Sequence, residues 1–231
     1  MSKGDSLPYV VCAFFTESYR DEIDRLEVSL RAFDIPYRFR RYSPLESWEA
    51  TTGIKPGFIL DCLDEHPGKD VLYVDADAFI RRPLGDFGQF EGDLGLHFNL
   101  NLVQPGRLRT GTIYARPTSA TRDFLSEWSA IQSRRPELND TEGFKEACAL
   151  PAARDVRFFC LPIEYVKVFD RDRISAYIEH FQASRHLPLQ DYKVRKSERL
   201  KRRRWIRSAL AMAGLALLAL AFVLGRMTAG A

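Results

Sequence analysis

Residues 71–80 read Val-Leu-Tyr-Val-Asp-Ala-Asp-Ala-Phe-Ile, and they give the clearest indication of the fold class. Its apolar, β-branched and aromatic start predicts a buried strand. Two carboxylates, Asp75 and Asp77, follow directly. Because side chains alternate along extended backbone, both carboxylates leave the same side of the chain if the strand continues. They then project from the carboxyl end of the strand, where open α/β sheets bind ligands, and two such oxygen ligands suit Mg²⁺ or Mn²⁺.

Strand and helix patterns alternate in the chain before this stretch. Apolar runs at 8–15 and 37–42 predict strands, and apolar residues at three- and four-residue spacing across 19–33 predict a helix. A second helix is predicted over 45–63, where Gly53, Pro56 and Gly57 must bend or divide it. Strand-helix-strand-helix-strand at this spacing predicts a parallel sheet with right-handed crossovers.

The second half of the chain continues in the α/β class. Apolar runs predict strands over 94–98, 112–115, 156–161 and 164–169, and periodic patterns predict helices over 119–132 and 141–149. A polar loop is expected over 99–109. The predicted architecture is therefore a Rossmann-like, mixed but mainly parallel sheet flanked by helices.

Charge is distributed unevenly along the 231 residues. From residue 191 onward ten Lys or Arg face two acids, a net of 10 − 2 = +8, so the total of +3 leaves about −5 for the first 190 residues. The basic isoelectric point is thus a property of the tail, and we predict no nucleic-acid partner. The four cysteines show no Cys-x-x-Cys spacing, so a zinc site is not expected and reduced cytosolic thiols fit the sequence.

The uncharged residues 208–225 predict a transmembrane helix, since eighteen residues span about 27 Å. The alternative is a C-terminal core helix. Nine Lys or Arg at 193–207 precede the segment and only Arg226 follows, so the positive-inside rule predicts a cytoplasmic catalytic domain with a single-pass C-terminal anchor. The expected organisation is a domain at 1–190, a basic juxtamembrane segment at 191–207, the spanning helix at 208–225 and a tail at 226–231.

Six short motifs occur in order between residues 8 and 186. They are Phe14-Phe15-Thr16, Lys55-Pro56, residues 71–80, Thr110-Gly111-Thr112-Ile113-Tyr114, Asn139-Asp140 and Tyr177-Ile178-Glu179-His180-Phe181-Gln182. In this order the chain resembles a GT-A nucleotide-diphospho-sugar glycosyltransferase related to glycosyltransferase family 8. Two departures stand out. Thr141 occupies a position where that family usually has Gln, and the late His lacks the Gly-x-x-Lys-Pro-Trp extension, so the phosphate contact of that Lys comes from Arg185 or is missing.

The resemblance implies roles for particular residues. Mn²⁺ or Mg²⁺ would be bound by Asp75, Asp77 and His180, although His180 is equally read as a capping or core histidine. Asp140 would orient the sugar or an acceptor hydroxyl, or else simply cap a helix. Lys55 or Arg109, the latter also a catalytic candidate, would add positive charge at the diphosphate, unless both are solvated surface cations. Donor contacts are expected from Phe14, Thr16, Lys55, Asp75, Ala76, Gly111 and Thr112.

The function that follows is metal-dependent transfer of a sugar from a nucleotide-diphosphate sugar, a UDP-sugar by preference, to an unknown glycan, lipid or protein acceptor. Family 8 favours hexosyl transfer with retention of configuration. Two alternatives remain open. Haloacid dehalogenase phosphatases also place Asp-x-Asp after a strand, but usually earlier in the chain and with Thr or Val where Phe79 stands. The other is a catalytically inactive, membrane-tethered nucleotide-binding scaffold.

Overall fold

The centre of the molecule is a six-stranded sheet in the order β2-β1-β3-β6-β5-β7. The computed structural model describes residues 7–85, 87–98, 108–170 and 172–183. β6 runs antiparallel to both β3 and β5, whereas the other pairings are parallel. The predicted mixed, mainly parallel sheet is confirmed. The strands are β1 Tyr9–Phe15, β2 Tyr37–Arg41, β3 Asp70–Val74, β4 Ala78–Ile80, β5 Leu94–Phe98, β6 Leu108–Ala115, β7 Phe158–Cys160, β8 Lys167–Val168 and β9 Ile178–His180.

Helices cover both faces of this sheet. They are α1 Arg20–Arg31, α2 Trp48–Thr52, α3 Lys55–Glu65, α4 Ser119–Arg134 and α5 Asp140–Ala147. One face packs against α3, α4 and α5 through residues such as Phe58, Trp128 and Phe144, and the other packs against α1 through Ile23 and Leu26. Every residue of β1 is buried, which explains why this strand reads as a continuous apolar run rather than an alternating one.

Several elements differ in extent from the sequence-based expectation, and three of these differences change how the residues are used. The helix expected over 45–63 divides into α2 and α3, and Pro56 lies in the first turn of α3, where no intrahelical donor is lost. β6 begins at Leu108, so Arg109 lies in a strand and not in a loop. The strand expected over 164–169 becomes a 3₁₀ turn, Ile163–Tyr165, and the two-residue β8, with Tyr165, Val166 and Val168 buried and Phe169 exposed.

A second, three-stranded sheet in the order β4-β9-β8 brings the end of the domain back to its centre. β4 and β9 are antiparallel, with Ala78 opposite His180. This pairing places a histidine late in the chain beside the two aspartates that precede β4. Residues about a hundred positions apart in the chain thus lie side by side.

The predicted tail lies outside the described residues, as do Arg185 and the segments 191–207, 208–225 and 226–231. Within the part that the structure describes, no helix combines the length and apolar character needed to cross a bilayer.

Candidate functional site

A turn at the end of β3 carries the two aspartates. The strand stops at Val74, and the backbone N–H of Asp75 donates to the carbonyl of Gly111 at 2.8 Å. The N–H of Ala78 then donates back to the carbonyl of Asp75 at 3.0 Å. The condition that the strand continues through Asp77 is therefore not met. Turn geometry, rather than strand alternation, sets the directions of the two carboxylates.

Asp75, Asp77 and His180 form a cluster whose ligand atoms, one from each residue, lie within 4.8 Å of one another. Their side chains are 38%, 12% and 7% exposed, respectively. The cluster therefore opens to solvent on the Asp75 side and is closed on the His180 side. Two carboxylates and one imidazole match the ligand chemistry of Mn²⁺ and related divalent cations.

Asp75 is held by one of its two oxygens. Oδ1 accepts a hydrogen bond from the Tyr73 hydroxyl at 2.7 Å and lies 3.0 Å from Nζ of Lys55. Oδ2 lies next to Gly111, and a Cβ at that glycine would come within 3.0 Å of this oxygen and 3.2 Å of Nδ1 of His180. The missing side chain of Gly111 thus leaves space between two of the three ligand groups.

Asp77 is fixed by the segment that follows β9. Its Oδ2 accepts from the backbone N–H of Ala183 at 2.9 Å, and its carbonyl accepts from the N–H of Phe181 at 3.1 Å. Gln182 between them has a φ of 53°, which turns the backbone towards the aspartate. Burial raises the pKa of Asp77, but the contacts with His180 and Ala183 outweigh it, so the net shift is downward and the carboxylate stays ionised.

His180 is held by Nε2, which lies 2.8 Å from Oγ1 of Thr112. Its other ring nitrogen, Nδ1, is buried, has no hydrogen-bond partner among the described residues, and lies 3.7 Å from Oδ1 of Asp77. A buried ring nitrogen that has no hydrogen-bond partner and lies near a carboxylate is a typical arrangement at a site that binds a cation. Each of the three residues therefore gives one atom to the protein and directs another into the cluster.

Lys55 is buried, with only 2% of its side chain exposed. Its Nζ donates to the carbonyl of Thr110 at 3.0 Å and contacts Oδ2 of Asp140 as well as Asp75. Burial lowers the pKa of Lys55, but the charges of Asp140 and Asp75 outweigh it and hold that pKa above its ordinary value. Lys55 is thus a protonated, internal cation that joins α3, β3 and α5, and the reading of it as a solvated surface cation is wrong.

Asp140 is the first residue of α5, and Asn139 is the cap. The side chain of Asn139 accepts from the N–H of Glu142, which completes a capping box. The alternative that Asp140 serves only as a cap is therefore wrong. Its Oδ2 instead accepts hydrogen bonds from Nζ of Lys55 and from the hydroxyl of Thr110, the latter at 2.7 Å.

For the remaining predicted residues, Phe14, Thr16, Ala76 and Arg109, the structure shows contacts outside the cluster of Asp75, Asp77 and His180. Phe14 is buried in the core against Phe58 and Tyr73, and Ala76 is buried in the core on the α1 side. Thr16 hydrogen-bonds Ser18. Arg109 is ion-paired with Asp172 at 2.5 Å and donates to the carbonyl of Val166, which disagrees with a solvated surface cation.

Sequence reasoning quoted Tyr73 and Thr110 within motifs but assigned neither of them a role in the site. Tyr73 stands two residues before Asp75, and a period of two places such residues on one side of a strand, so this signal was available. Burial and the charge of Asp75 raise the pKa of Tyr73 well above its ordinary value, which keeps its hydroxyl protonated as a donor. No local signal predicts the contact between Thr110 and Asp140, because the two residues are thirty positions apart in the chain.

Similarity to known proteins concerns the family and the fold of this chain. Residues 10–199 match the family model described as nucleotide-diphospho-sugar transferase. No curated protein matches the chain by sequence. The fold is similar to a glycosyltransferase involved in the glycosylation of the major capsid of PBCV-1, with 12% identity, 75% of this chain and 93% of that chain covered, and a TM-score of 0.58.

A second solved structure, the apo-form glycosyltransferase GlyE of Streptococcus pneumoniae TIGR4, is 12% identical over 74% of this chain and 54% of that chain, with a TM-score of 0.52. Both similarities concern the fold, which is the GT-A fold of glycosyltransferases. The family model spans most of the chain, including β3, Asp140 and His180. This chain belongs to the nucleotide-diphospho-sugar transferase family.

Proposed function

We propose that this protein transfers a sugar from a nucleotide-diphosphate sugar to an acceptor and that it needs a divalent cation, Mn²⁺ or Mg²⁺, to do so. The observation that carries the proposal is the convergence of one possible ligand atom from each of Asp75, Asp77 and His180, within 4.8 Å of one another, beside the carboxyl end of β3. In a chain of this family, such a site lies where a diphosphate is expected.

The residues of the site have two kinds of role, binding the cation and positioning its ligands. When bound, a divalent cation supplies positive charge beside the diphosphate, whose negative charge grows as the anomeric bond breaks. Asp75, Asp77 and His180 would hold that cation. Lys55 and Tyr73 bind Oδ1 of Asp75 and so leave its other oxygen directed into the cluster.

The finer assignments rest on the resemblance to family 8. It favours a UDP-sugar donor, a hexosyl group and retention of configuration. It also assigns Asp140 to the sugar or an acceptor hydroxyl, and the position of Asp140 beside Lys55 keeps it within the same bonded network as Asp75. Donor contacts of Phe14, Thr16, Ala76 and Gly111 and a catalytic part for Arg109 are retained as proposals.

The acceptor and location are inferred from the tail sequence alone. An uncharged segment at 208–225 after a basic run favours a C-terminal membrane anchor, a cytoplasmic catalytic domain and a membrane-associated acceptor. The two alternatives gain no support. The family match disagrees with a haloacid dehalogenase phosphatase. An inactive scaffold that still binds metal and nucleotide would keep the same cluster, and turnover is what separates the two.

Titration calorimetry of the full-length chain with Mn²⁺ and a panel of nucleoside diphosphates tests the proposal. Asp77→Asn should abolish Mn²⁺-dependent nucleotide binding, and Asp75→Asn should weaken it by at least about tenfold, because each removes a ligand charge. Asp64→Asn is the matched control, since Asp64 is 68% exposed and pairs with Arg122 on the surface. Unchanged affinity in both site variants would show that the cluster is not the metal site.

Hydrolysis of sugar nucleotides, measured with and without Mn²⁺, separates an enzyme from an inactive scaffold. We expect slow, Mn²⁺-dependent release of the nucleoside diphosphate by the wild-type chain and none by Asp77→Asn. Nucleotide binding without any turnover, in the presence of each candidate sugar, would favour the scaffold.

A further inference from the structure

We propose that the outer face of the β4-β9-β8 sheet is a membrane-contact surface that lies against the headgroup region of a lipid bilayer. Each strand supplies to this face one residue of its own and the residue that follows it. We call this set the aromatic face: Phe79 and Arg81, Glu179 and Phe181, Lys167 and Phe169. The surface is separate from the transfer reaction, and only the choice of a lipid as its occupant rests on the proposed membrane anchor.

Side chains of the small sheet alternate between its two faces, as extended backbone requires. The inward residues are buried: Ala78, Ile80, Val168, Ile178 and His180. The outward residues include a phenylalanine from each strand or its end, namely Phe79, Phe169 and Phe181. A sheet with one face towards solvent normally carries polar residues there, so three phenylalanines on this face indicate an apolar partner.

Phe181 lies at the centre of the aromatic face. Its ring stacks on that of Phe169, with the two centroids 5.6 Å apart. The guanidinium carbon of Arg81 lies 5.6 Å from the Phe181 centroid and 4.6 Å from that of Phe79. The guanidinium carbon of Arg25, a residue of α1, lies 5.7 Å from the same Phe181 centroid. Rings and guanidinium groups thus form one contiguous surface that extends from the sheet onto α1.

The outer part of this surface is open to solvent. Phe169 is 42% exposed, and the side chains of Arg81 and Arg25 are 44% and 55% exposed. Val28, nearly one turn beyond Arg25 on α1, is 66% exposed. Exposed apolar side chains mixed with arginines are typical of protein surfaces that enter the interfacial region of a bilayer, where the rings are buried and the guanidinium groups meet phosphates.

The charges of the aromatic face leave a cation available to a phosphate. Glu179 accepts a hydrogen bond from Arg81 through Oε2 and one from Lys167 through Oε1, each at 2.6 Å. Two cations therefore share one carboxylate. Asp170, the residue after Phe169, is exposed and is able to remain in water. Arg81 is the more exposed of the two cations, so a lipid phosphate is a suitable further partner for its guanidinium group.

The course of the chain identifies the occupant. The described residues end at Ala183, two positions after Phe181. The sequence then leads to nine Lys or Arg at 193–207 and to the uncharged residues 208–225. Only residues 184–207 separate the aromatic face from a segment with the composition of a membrane anchor, so an anchored chain holds this face at a high effective concentration near lipid. A lipid bilayer is therefore the partner that this chain brings to the aromatic face.

Spin labels on the full-length chain in lipid nanodiscs test the proposal. The exposed Cys148 and Cys160 are first changed to Ser. A single label is then attached through Phe169→Cys on the aromatic face, through Arg25→Cys beside it, or through Ser126→Cys as the matched control. Ser126 is an exposed residue of α4, which packs on the opposite side of the main sheet from α1. The discs contain phosphatidylcholine with about one-third phosphatidylserine.

We expect the labels at 169 and 25 to collide several-fold less often with a water-soluble nickel chelate, and more often with oxygen, than the control label does. The reason is that oxygen concentrates in lipid, whereas the chelate stays in water. Circular dichroism and Mn²⁺-dependent nucleotide binding show whether the fold and the site of each labelled chain are intact. If Phe169→Cys does not fold, Arg25→Cys provides the measurement.

Three results would overturn the membrane-contact surface. Free access of the chelate to all three labels, in protein that stays on the discs, would mean that the anchor alone holds the chain. Spin–spin broadening at 169 that persists in detergent without lipid would show that a second copy of the chain covers the face. A chain that does not associate with the discs would refute both this surface and the proposed anchor, while Mn²⁺-dependent nucleotide binding judges the transfer reaction separately.

Discussion

Replacing Lys55 with Met should strongly destabilise the domain, although the two side chains have similar volumes. Lys55 and Asp140 are 2% and 9% exposed, and their ion pair is supported by the carbonyl and hydroxyl of Thr110. Methionine supplies an apolar chain of similar length but no charge. The variant therefore tests whether the internal cation is needed because Asp140 cannot be left alone.

The expected loss in the free energy of unfolding depends on which aspartate is left without a cation. Asp75, at 38% exposure, can be hydrated once Lys55 is gone. Asp140 is 9% exposed, and within the described residues its Oδ2 would keep the hydrogen bond from the hydroxyl of Thr110 but no cation. Removing one partner of a buried ion pair costs about 3–5 kcal/mol. For a domain of this size each kcal/mol lowers the melting temperature by about 2–4 °C, so we expect a drop of roughly 6–20 °C.

Urea unfolding followed by circular dichroism measures the change. Lys145→Met is the control, since Lys145 is exposed on α5, and its effect should stay within about 0.5 kcal/mol. The double variant Lys55→Met with Asp140→Asn should recover about 1–3 kcal/mol of the loss, because the unpaired charge is removed. A loss below about 1 kcal/mol in the single variant, or strictly additive losses in the double one, would refute the reasoning.

Three further outcomes are expected. Gly111→Ala should keep the fold but weaken Mn²⁺ binding at least about tenfold, since its Cβ would crowd Asp75 and His180. Wild-type affinity in calorimetry would show that the space beside Gly111 is not needed for the cation. Asp172→Asn should lower stability at pH 7, because Arg109 holds the pKa of Asp172 below its ordinary value; the gap should close as the pH falls through about 4 and below, and a gap that persists at low pH would disprove the ionic cause. Full-length protein should sediment with membranes and resist salt extraction, whereas the chain ending at residue 190 should be soluble and still bind nucleotide; release of the full-length protein by salt would remove the anchor.

Much of the architecture could be predicted because it is written in local patterns. The buried strand at 71–74, the amphipathic α1 and the position of Asp75 at a strand end all follow from apolar periodicity within a window of a few residues. The resemblance in motif order then indicated the family and named His180. Such signals need no knowledge of what lies on the other side of the fold.

The sequence by itself determined which residues are available for the site: two aspartates after a buried strand, a late histidine, and a lysine before Pro56. How these residues are used depends on the folded arrangement. It runs β6 antiparallel to β3, buries Lys55 between two aspartates, and places Thr112 against a histidine 68 residues away. These contacts join residues far apart in the chain, and their energies depend on burial and on which donor meets which acceptor. No local pattern encodes either quantity, because both exist only once the sheet and its helices have closed around the site.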